Sequence, residues 1–386
     1  MFEPFPGNYV WNLATNLALV CGGNHGEIDE ANRPIMEASK SGADAGSAQM
    51  FDSWIRVADQ VAANAAADEA EGYLLSAGTK YLRASGYYLA AERMQSRDYA
   101  PRWAAYDKGL ELYHKGSAMR GLHADRVEIP YGDSAYTAIF VHDGSGTPRP
   151  TLVSVNGLDS MKEQVNMGGH GASNLERGMN TLFLDQPGTG EAIRLRGLPA
   201  VFDAERWGSP AFDYLLTRSD VIHSQCIFGL SFGGYHAPRI AANDPRYALC
   251  AVMGANHVWG QRQRERVSNE GENPVPHYWD HVMWVFGFEA KDGGRDKFLD
   301  YADQITLDGQ VEKIRVPFLI THGENDRQIP AFNAHMSYDQ AVNSPKRTLR
   351  MFTKADFEVE HCGADNGTGM RDYIADWCAQ TFAEMG

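Results

Sequence analysis

The chain has 386 residues, of which 43% are hydrophobic and 22% are charged, and these ordinary globular values exclude an intrinsically disordered protein. With 35 Lys and Arg against 50 Asp and Glu, the formal net charge is −15 at pH 7, which argues against a nucleic-acid or anionic-membrane partner. The length allows one large domain with an addition, or two domains.

The N-terminal residues show no targeting signal. Residues 1–10 lack a basic segment, and polar residues interrupt the apolar stretch 13–20, so we expect neither a signal peptide nor a membrane span. The scattered cysteines do not suggest a disulfide framework, and no Cys/His group has metal-ligand spacing. We therefore predict a cytoplasmic protein without a metal site. The cysteines are Cys21, Cys226, Cys250, Cys362 and Cys378.

Residues 1–120 are predicted to form a helical domain that contributes to a cap. Apolar residues recur at helical spacing in this part of the chain, as at Trp54, Val57 and Val61. A stripe of tyrosines is expected to be core packing more than a pocket lining. The predicted helices span roughly 49–67, 70–94 and 101–115.

Residues 121–386 are predicted to form an α/β core. Near residue 125 the apolar period changes from helical to alternating, which predicts a β-hairpin over 127–142. Strands and helices then alternate, which predicts a mainly parallel sheet flanked by helices. The later strands are expected at 151–155, 181–184, 225–228, 249–253, 318–321 and 349–352, and the last helix at about 370–385.

Residues 257–312 are predicted to be a cap insertion. The connection between the strands at 249–253 and 318–321 is far longer than a crossover needs, and it would lie over the carboxyl edge of the sheet. Its aromatic content suits an apolar substrate chamber, with Trp284 as a candidate substrate-binding residue, although a cap also needs a core of its own. The aromatic residues are Trp259, Tyr278, Trp279, Trp284, Phe286 and Phe288.

Residues 229–233 read Gly-Leu-Ser-Phe-Gly after a short apolar run. This G-x-S-x-G pattern is typical of a nucleophile elbow, a sharp strand-to-helix turn that holds a serine above a sheet. Flanking glycines are needed because the turn brings backbone segments close together. Ser231 is the candidate nucleophile, and the N–H of Phe232 is a candidate oxyanion donor. His236 is expected to face the interior of the helix.

An acid and a histidine follow in the chain order of α/β-hydrolases. Asp326 lies in a turn at the carboxyl edge of the predicted sheet, where open α/β sheets build their sites. His361 lies in the loop after the last strand. In this candidate triad His361 would take the proton of Ser231, and Asp326 would hold the imidazole.

Several other polar residues lie close to this pair in sequence. We expect His322 to pack under the acid turn, and Cys362 to be a packing residue more than a reactive thiol. Asp356 and Glu358 precede the histidine in a long loop. They are expected to be solvated, but they are the alternative acids if the loop has been misinterpreted.

Two further segments carry a family resemblance. Residues 156–163 read Asn-Gly-Leu-Asp-Ser-Met-Lys-Glu, and residues 185–191 read Asp-Gln-Pro-Gly-Thr-Gly-Glu. With the elbow, the acid turn and residues 360–362, they resemble the 2,6-dihydroxypseudooxynicotine hydrolase group of α/β-hydrolases. That group is related to fungal pigment-pathway hydrolases that shorten polyketides and to FrsA-like esterases. The resemblance covers about residues 120–386, and Asn156 departs from it by replacing a glycine near the oxyanion hole.

The resemblance implies hydrolysis of a carbon–carbon bond beside a ketone, in an aromatic or polyketide-like substrate. It implies that an acidic residue at the position of Asp159 assists, and that the protein is a homodimer. Asp159 could instead cap the helix ahead of Lys162. A backbone N–H near Leu158 or Asp159 is the expected second oxyanion donor. No dinucleotide-binding glycine motif opens a helix after a first strand, so no cofactor is expected.

Two other functions stay open at this point. The same residues would serve a carboxylesterase or lactonase acting on a bulky ester. A non-catalytic protein that binds a small ligand on a hydrolase fold is the second alternative, and the intact set of Ser231, Asp326 and His361 argues against it. Each of these functions has a small molecule as the partner.

Overall fold

The computed structural model describes residues 1–40, 46–268, 277–289, 291 and 293–385. The chain divides into two compact units. The first comprises 1–124, 166–169 and 271–281, and the second comprises 125–165, 170–270 and 282–386. The sequence-based domain boundary near residue 120 and the cap role of the first domain stay predictions.

The first unit is built mainly from helices. They are α1 (Tyr9–Val20), α2 (His25–Lys40), α3 (Gly46–Ala70), α4 (Leu74–Arg93) and α5 (Pro101–Met119). The sequence pattern predicted α3 to α5 but missed α1 and α2. The polar residues that interrupt the apolar stretch 13–20, Thr15 and Asn16, are buried in α1. Asn12 is buried there too, and it accepts from Phe5 N and donates to Phe5 O, both at 2.9 Å.

Helices α4 and α5 cross where two glycines face each other. A Cβ at Gly78 would lie 3.0 Å from the carbonyl oxygen of Gly116, and a Cβ at Gly116 would lie 2.8 Å from that of Gly78. Tyr81 is only 3% exposed, as expected for a core tyrosine. The fully buried ion pair of Arg102 with Glu92 (Nε to Oε1, 2.8 Å) also joins the two helices.

The second unit contains an eight-stranded sheet in the order β1-β2-β4-β3-β5-β6-β7-β8. Strand β2 pairs antiparallel with β4, whereas β4, β3, β5, β6, β7 and β8 run parallel. The prediction of a mainly parallel sheet is therefore confirmed. The strands are β1 (Ala124–Tyr131), β2 (Ser134–Val141), β3 (Arg149–Val155), β4 (Asn180–Leu184), β5 (Val221–Leu230), β6 (Leu249–Met253), β7 (Phe318–Gly323) and β8 (Arg347–Phe352).

Helices flank this sheet as the alternating pattern predicted. The helices that follow α5 in the chain are α6 (Lys162–Met167), α7 (His170–Glu176), α8 (Gly190–Arg194), α9 (Glu205–Leu216), α10 (Gly233–Asn243), α11 (Trp259–Ser268), α12 (Tyr278–Val285), α13 (Gly294–Ala302), α14 (Phe332–Gln340) and α15 (Gly369–Glu384). Short 3-10 turns lie at Val311–Lys313, Lys354–Asp356 and His361–Gly363. None of the described helices combines the length and the apolar content that crossing a bilayer would need.

The predicted cap insertion contributes α11, α13 and part of α12 to the second unit. Its aromatic side chains pack on one another, since the ring of Phe298 lies 5.6 Å from that of Phe286 and 6.1 Å from that of Trp259. Phe298 is fully buried. Part of the predicted insertion, at 269–276, 290 and 292, lies outside the described residues. These aromatic residues therefore supply the small core that a cap would need.

Candidate active site

Ser231 lies in the sharp turn between β5 and α10. Its φ of +57° is in the left-handed region, which a non-glycine residue seldom adopts, and such strain is common at active sites. The N–H of Ser231 donates to the carbonyl oxygen of Met253 at 2.8 Å, which fastens the turn to the carboxyl end of β6. This is the geometry that the G-x-S-x-G pattern predicts.

Glycines flank the turn because neighbouring backbone leaves no room for a side chain. A Cβ at Gly229 would overlap the carbonyl group of Gly233, four residues along the chain. A Cβ at Gly233 would lie 2.6 Å from the carbonyl oxygen of Val155 on β3. The two glycines of the pattern are therefore steric requirements of the elbow.

The three predicted triad side chains form a continuous chain of hydrogen bonds. His361 Nε2 lies 2.8 Å from Ser231 Oγ, and His361 Nδ1 lies 2.8 Å from Asp326 Oδ2. The other carboxylate oxygen of Asp326 accepts from the N–H groups of Gln328 and Ile329, both at 2.8 Å. The acid is thus held by its own turn, and only its second oxygen faces the imidazole.

Charged residues beside the acid and the histidine bind the two loops together. Arg327 donates through Nε and Nη2 to the two carboxylate oxygens of Glu360, at 3.0 and 2.9 Å. Asn325 donates to the same carboxylate at 2.9 Å. Because these residues directly flank Asp326 and His361, the bonds help to fix the distance between them. This contact was not predicted from the sequence, where its signal is an opposite charge next to each site residue.

Asp326 and His361 shift each other's pKa. Burial favours a neutral imidazole, but the adjacent Asp326 carboxylate outweighs burial and raises the pKa of His361 above its ordinary value. Burial likewise raises the pKa of Asp326, and the charge and hydrogen bond of His361 outweigh it, so that this pKa is lowered. Asp326 is therefore ionised at neutral pH and is able to stabilise an imidazolium.

The other polar residues near the pair have structural partners. His322 is buried, and its Nε2–H donates to Ile329 O at 2.8 Å, which confirms that it packs under the acid turn. The expectation that Glu358 is solvated is wrong. This side chain is fully buried and accepts from Met370 N at 2.6 Å at the start of α15, and burial raises its pKa to about 7. Asp356 caps the turn at Thr353 and pairs with Arg350.

Cys362 lies next to the triad histidine. Its thiol donates to the carbonyl oxygen of Met253 at 3.3 Å, and its Sγ lies 3.7 Å from His361 Nε2. Cys362 itself adopts a left-handed φ of +51°. The bond to Met253 fastens the histidine loop to β6, and the packing role of Cys362 stays a prediction.

The loop after β3, which is predicted to supply an oxyanion donor, passes close to the nucleophile. Gly157 is so close to the nucleophile that a Cβ on it would lie 3.0 Å from Ser231 Cβ. Leu158 follows this contact directly, and Phe232 precedes α10 on the other side of the serine. The side-chain N–H groups of Asn156 donate to Leu184 O and to Asp185 Oδ1, at 2.7 and 3.2 Å. These side-chain N–H groups therefore bind β4 and the turn after it.

The structure places Asp159 and Trp284 on different elements of the second unit. Asp159 is half-buried in the loop before α6, where the N–H of Lys162 donates to Asp185 Oδ1 at 3.0 Å. Trp284 is half-buried on α12, and the guanidinium of Arg194 lies 5.7 Å from its ring centroid.

Aromatic residues of the insertion contact the elbow through Phe232. The ring of Phe232 lies 4.7 Å from that of Trp259 and 5.9 Å from that of Phe286. It also lies 4.5 Å from the ring of His236, which is buried as predicted. One side of the nucleophile turn is therefore covered by apolar rings.

Three carboxylates in the described residues are close enough to suit a metal ion, namely Glu163, Asp185 and Glu191. The ammonium of Lys162 lies 2.7 Å from an oxygen of each of them and supplies the positive charge that a metal ion would otherwise bring. The glycines of the turn 185–191 shape it, since a Cβ at Gly190, where φ is +43°, would overlap the Asp185 carboxyl group. This turn thus builds a buried ion cluster.

Comparisons with known proteins find hydrolases similar to this chain. No family model matches the chain. It is 31% identical over 340 residues to a 2,6-dihydropseudooxynicotine hydrolase from Paenarthrobacter nicotinovorans, which covers 85% of this chain and 83% of that protein. It is 29% identical over 302 residues to Hydrolase acrC of Aspergillus aculeatus, which covers 62% of this chain and 66% of that protein.

Solved structures show the same fold. The crystal structure of the 2,6-dihydroxy-pseudo-oxynicotine hydrolase has a TM-score of 0.75 at 21% identity, and it covers 94% of each chain. AbyA5 has a TM-score of 0.67 at 19% identity, covering 91% of this chain and 94% of the other. At these identities the likeness shows the fold alone, which is that of the α/β-hydrolases.

Proposed function

The chain belongs to the 2,6-dihydropseudooxynicotine hydrolase family of α/β-hydrolases, and on that basis we propose that it is a serine hydrolase that cleaves a carbon–carbon bond beside a ketone. The observation that carries the proposal is the hydrogen-bond chain from Asp326 through His361 to Ser231, with both steps at 2.8 Å. We propose an aromatic or polyketide-like substrate, and the apolar rings around Phe232 support this choice.

In the proposed first step, Ser231 Oγ attacks the ketone carbonyl while His361 Nε2 takes its proton. The Asp326 carboxylate stabilises the imidazolium that forms. The carbonyl oxygen becomes an oxyanion, which we assign to the N–H groups of Phe232 and of Leu158. Removal of one such donor typically lowers kcat by about 10² to 10³.

The carbon leaving group sets the demands of the second step. The C–C bond breaks as the oxyanion collapses, and the electron pair stays on the leaving carbon, so that group must be a delocalised carbanion such as an enolate, which an acylated phenol supplies from its keto tautomer. The proton on His361 passes to this carbon, and we propose that Asp159 orients the substrate for that transfer. Water activated by His361 then hydrolyses the acyl-serine, which gives a carboxylic acid and free Ser231.

We also propose that Trp284 binds substrate and that residues 1–120 and 257–312 form the cap. The homodimer and the cytoplasmic location stay predictions. A carboxylesterase or lactonase would use the same triad, so the difference between the two activities lies in the leaving group. Labelling by a fluorophosphonate tests the serine chemistry shared by both, and we expect the intact protein to react at Ser231. A protein that only binds ligands would not react.

The raised pKa of His361 predicts the pH dependence of the reaction. Only the neutral imidazole accepts the serine proton, so kcat/KM should rise with pH through the raised pKa and then reach a plateau. In Asp326→Asn the carboxylate that raises this pKa is gone, so the rising limb should move to lower pH as the plateau falls.

The matched control for this profile is Asp308→Asn, because Asp308 pairs with a different histidine, His257, at 3.1 Å. In Asp308→Asn the rise of kcat/KM with pH should stay at the wild-type position. A limb that does not move in Asp326→Asn would contradict the electrostatic coupling described for the pair.

The variant Asp159→Asn separates cleavage of ketones from ordinary ester hydrolysis. An activated aryl ester has a good leaving group and needs little help, so this variant should slow cleavage of an aryl ketone far more than hydrolysis of the ester. If Asp159 only caps a helix, both activities should fall together with a stability loss of about 1 kcal/mol. Parallel kcat/KM measurements on the two substrates decide between these outcomes.

A further inference from the structure

Gln186 pairs with the backbone of Asn156 in the manner of a neighbouring strand. The N–H of Asn156 donates to Gln186 Oε1 at 3.1 Å, and Gln186 Nε2 donates to Asn156 O at 3.0 Å. Both residues are buried, at 0% and 1% exposure, so neither backbone group has water as an alternative partner. Together with the bonds of the Asn156 side chain to Leu184 and Asp185, these two bonds fix the direction in which the chain leaves β3.

That direction decides where the predicted oxyanion loop lies. The residue after Asn156 is Gly157, whose missing Cβ would lie 3.0 Å from Ser231 Cβ, and its N–H donates to Ser160 Oγ at 2.8 Å. The N–H of Leu158 is one residue further along. A change in the peptide plane of Asn156 would therefore move the oxyanion donor relative to the nucleophile.

A buried ion cluster holds the other end of the same loop. Asp185 accepts from Lys162 N at 3.0 Å and from Lys162 Nζ at 2.7 Å. The ammonium also lies 2.7 Å from Glu163 and from Glu191. Burial raises the pKa of Glu191, but Arg126 and Lys162 outweigh it and lower that pKa to about 2, so this carboxylate stays charged.

Segment 156–162 is thus fastened at both ends to two consecutive residues, Asp185 and Gln186. We propose that Gln186 is a positioning residue that sets the position of the oxyanion donor in this loop. The bonds between Asp185 and Lys162 hold the other end of the loop in place. The inference rests on the proposed serine hydrolase function and assigns a role to the turn 185–191, which contains none of the triad residues. Gln186 acts through the backbone of Asn156 and need not contact the substrate.

The variant Gln186→Leu tests this role because it removes both hydrogen bonds at similar volume. Turnover of an aryl ester is measured per active site, counted by fluorophosphonate titration, so that unfolded protein does not contribute. We expect kcat to fall by about 10²-fold, as for a misplaced or lost oxyanion donor, with KM nearly unchanged. The affinity for a trifluoromethyl ketone, which forms an oxyanion adduct with serine, should fall by a similar factor.

The matched control is Asn12→Leu, since Asn12 makes the same pair of bonds to the backbone of Phe5 in the first unit. It should lose stability but keep kcat per titrated site. If Gln186→Leu does not fold, Gln186→Glu decides the question, because it keeps the acceptor for Asn156 N and loses the amide donor, and kcat should fall at least about tenfold.

Three results would overturn the inference or its basis, and they are distinguishable. A wild-type protein that does not react with the fluorophosphonate would remove the proposed function itself. A reactive wild type whose Gln186 variants keep wild-type kcat and inhibitor affinity would overturn only the positioning role. Equal losses of kcat per site in the Gln186 and Asn12 variants would overturn it too, since general destabilisation would then explain both.

Discussion

Replacing Ser231 with alanine should lower kcat by about 10⁶-fold, as found when the nucleophile of a serine triad is removed, and should leave the fold intact. The hydroxyl of Ser231 hydrogen-bonds to His361, and its loss removes the attacking atom and very little packing. Alanine can occupy the left-handed turn at much the same cost as serine. The measurement is kcat on an aryl ester together with the thermal unfolding midpoint.

The chain offers a close control for this variant. Ser337 Oγ lies 2.9 Å from His257 Nδ1, and His257 Nε2 lies 3.1 Å from Asp308, so a second Ser–His–Asp chain exists in the same unit. Ser337 is fully buried on α14 and is not on an elbow. Ser337→Ala should cost about 1 kcal/mol of stability and leave kcat of the folded protein unchanged. Near wild-type turnover in Ser231→Ala would refute the nucleophile assignment.

Replacing His361 with alanine should lower kcat about as much as the loss of Ser231, by about 10⁶-fold. Ser231 then has no base at 2.8 Å to take its proton, and Asp326 has no imidazolium to stabilise. Because the residues act as a unit, Ser231→Ala/His361→Ala should be no slower than either single variant. Full additivity of the two losses, measured as ΔΔG‡ from kcat/KM, would contradict a shared proton transfer.

The arrangement of β3 to β8 follows from short-range patterns in the sequence. Short apolar runs that alternate with helical segments predicted these strands, and the glycines at 229 and 233 identified the elbow because no other residue fits there. The order of serine, acid and histidine along the chain then fixed which strand ends must meet. These features are local, so one sequence was enough to predict them.

Buried polar residues were the features that the sequence did not reveal. Asn12 is a polar residue buried in α1, a helix that was not predicted, and the backbone of Phe5 supplies both hydrogen-bond partners of its side chain. Glu358 was expected to be a solvated loop residue, but it is buried and accepts a hydrogen bond from the N–H of Met370 at the start of α15. The contacts of Gln186 with Asn156 and of Arg327 with Glu360 join residues about thirty positions apart, and they depend on the folded chain.

The most direct test of carbon–carbon bond cleavage is product analysis on an aryl ketone, namely a phenol that carries the acyl group on a ring carbon. The wild-type protein is incubated with the aryl ketone, and the products are identified by liquid chromatography and mass spectrometry beside Ser231→Ala. We predict equal amounts of the deacylated phenol and the carboxylic acid from the wild type, and neither product from the variant. Hydrolysis of an aryl ester by the wild type, with every ketone tested left intact, would contradict the carbon–carbon assignment and leave an esterase.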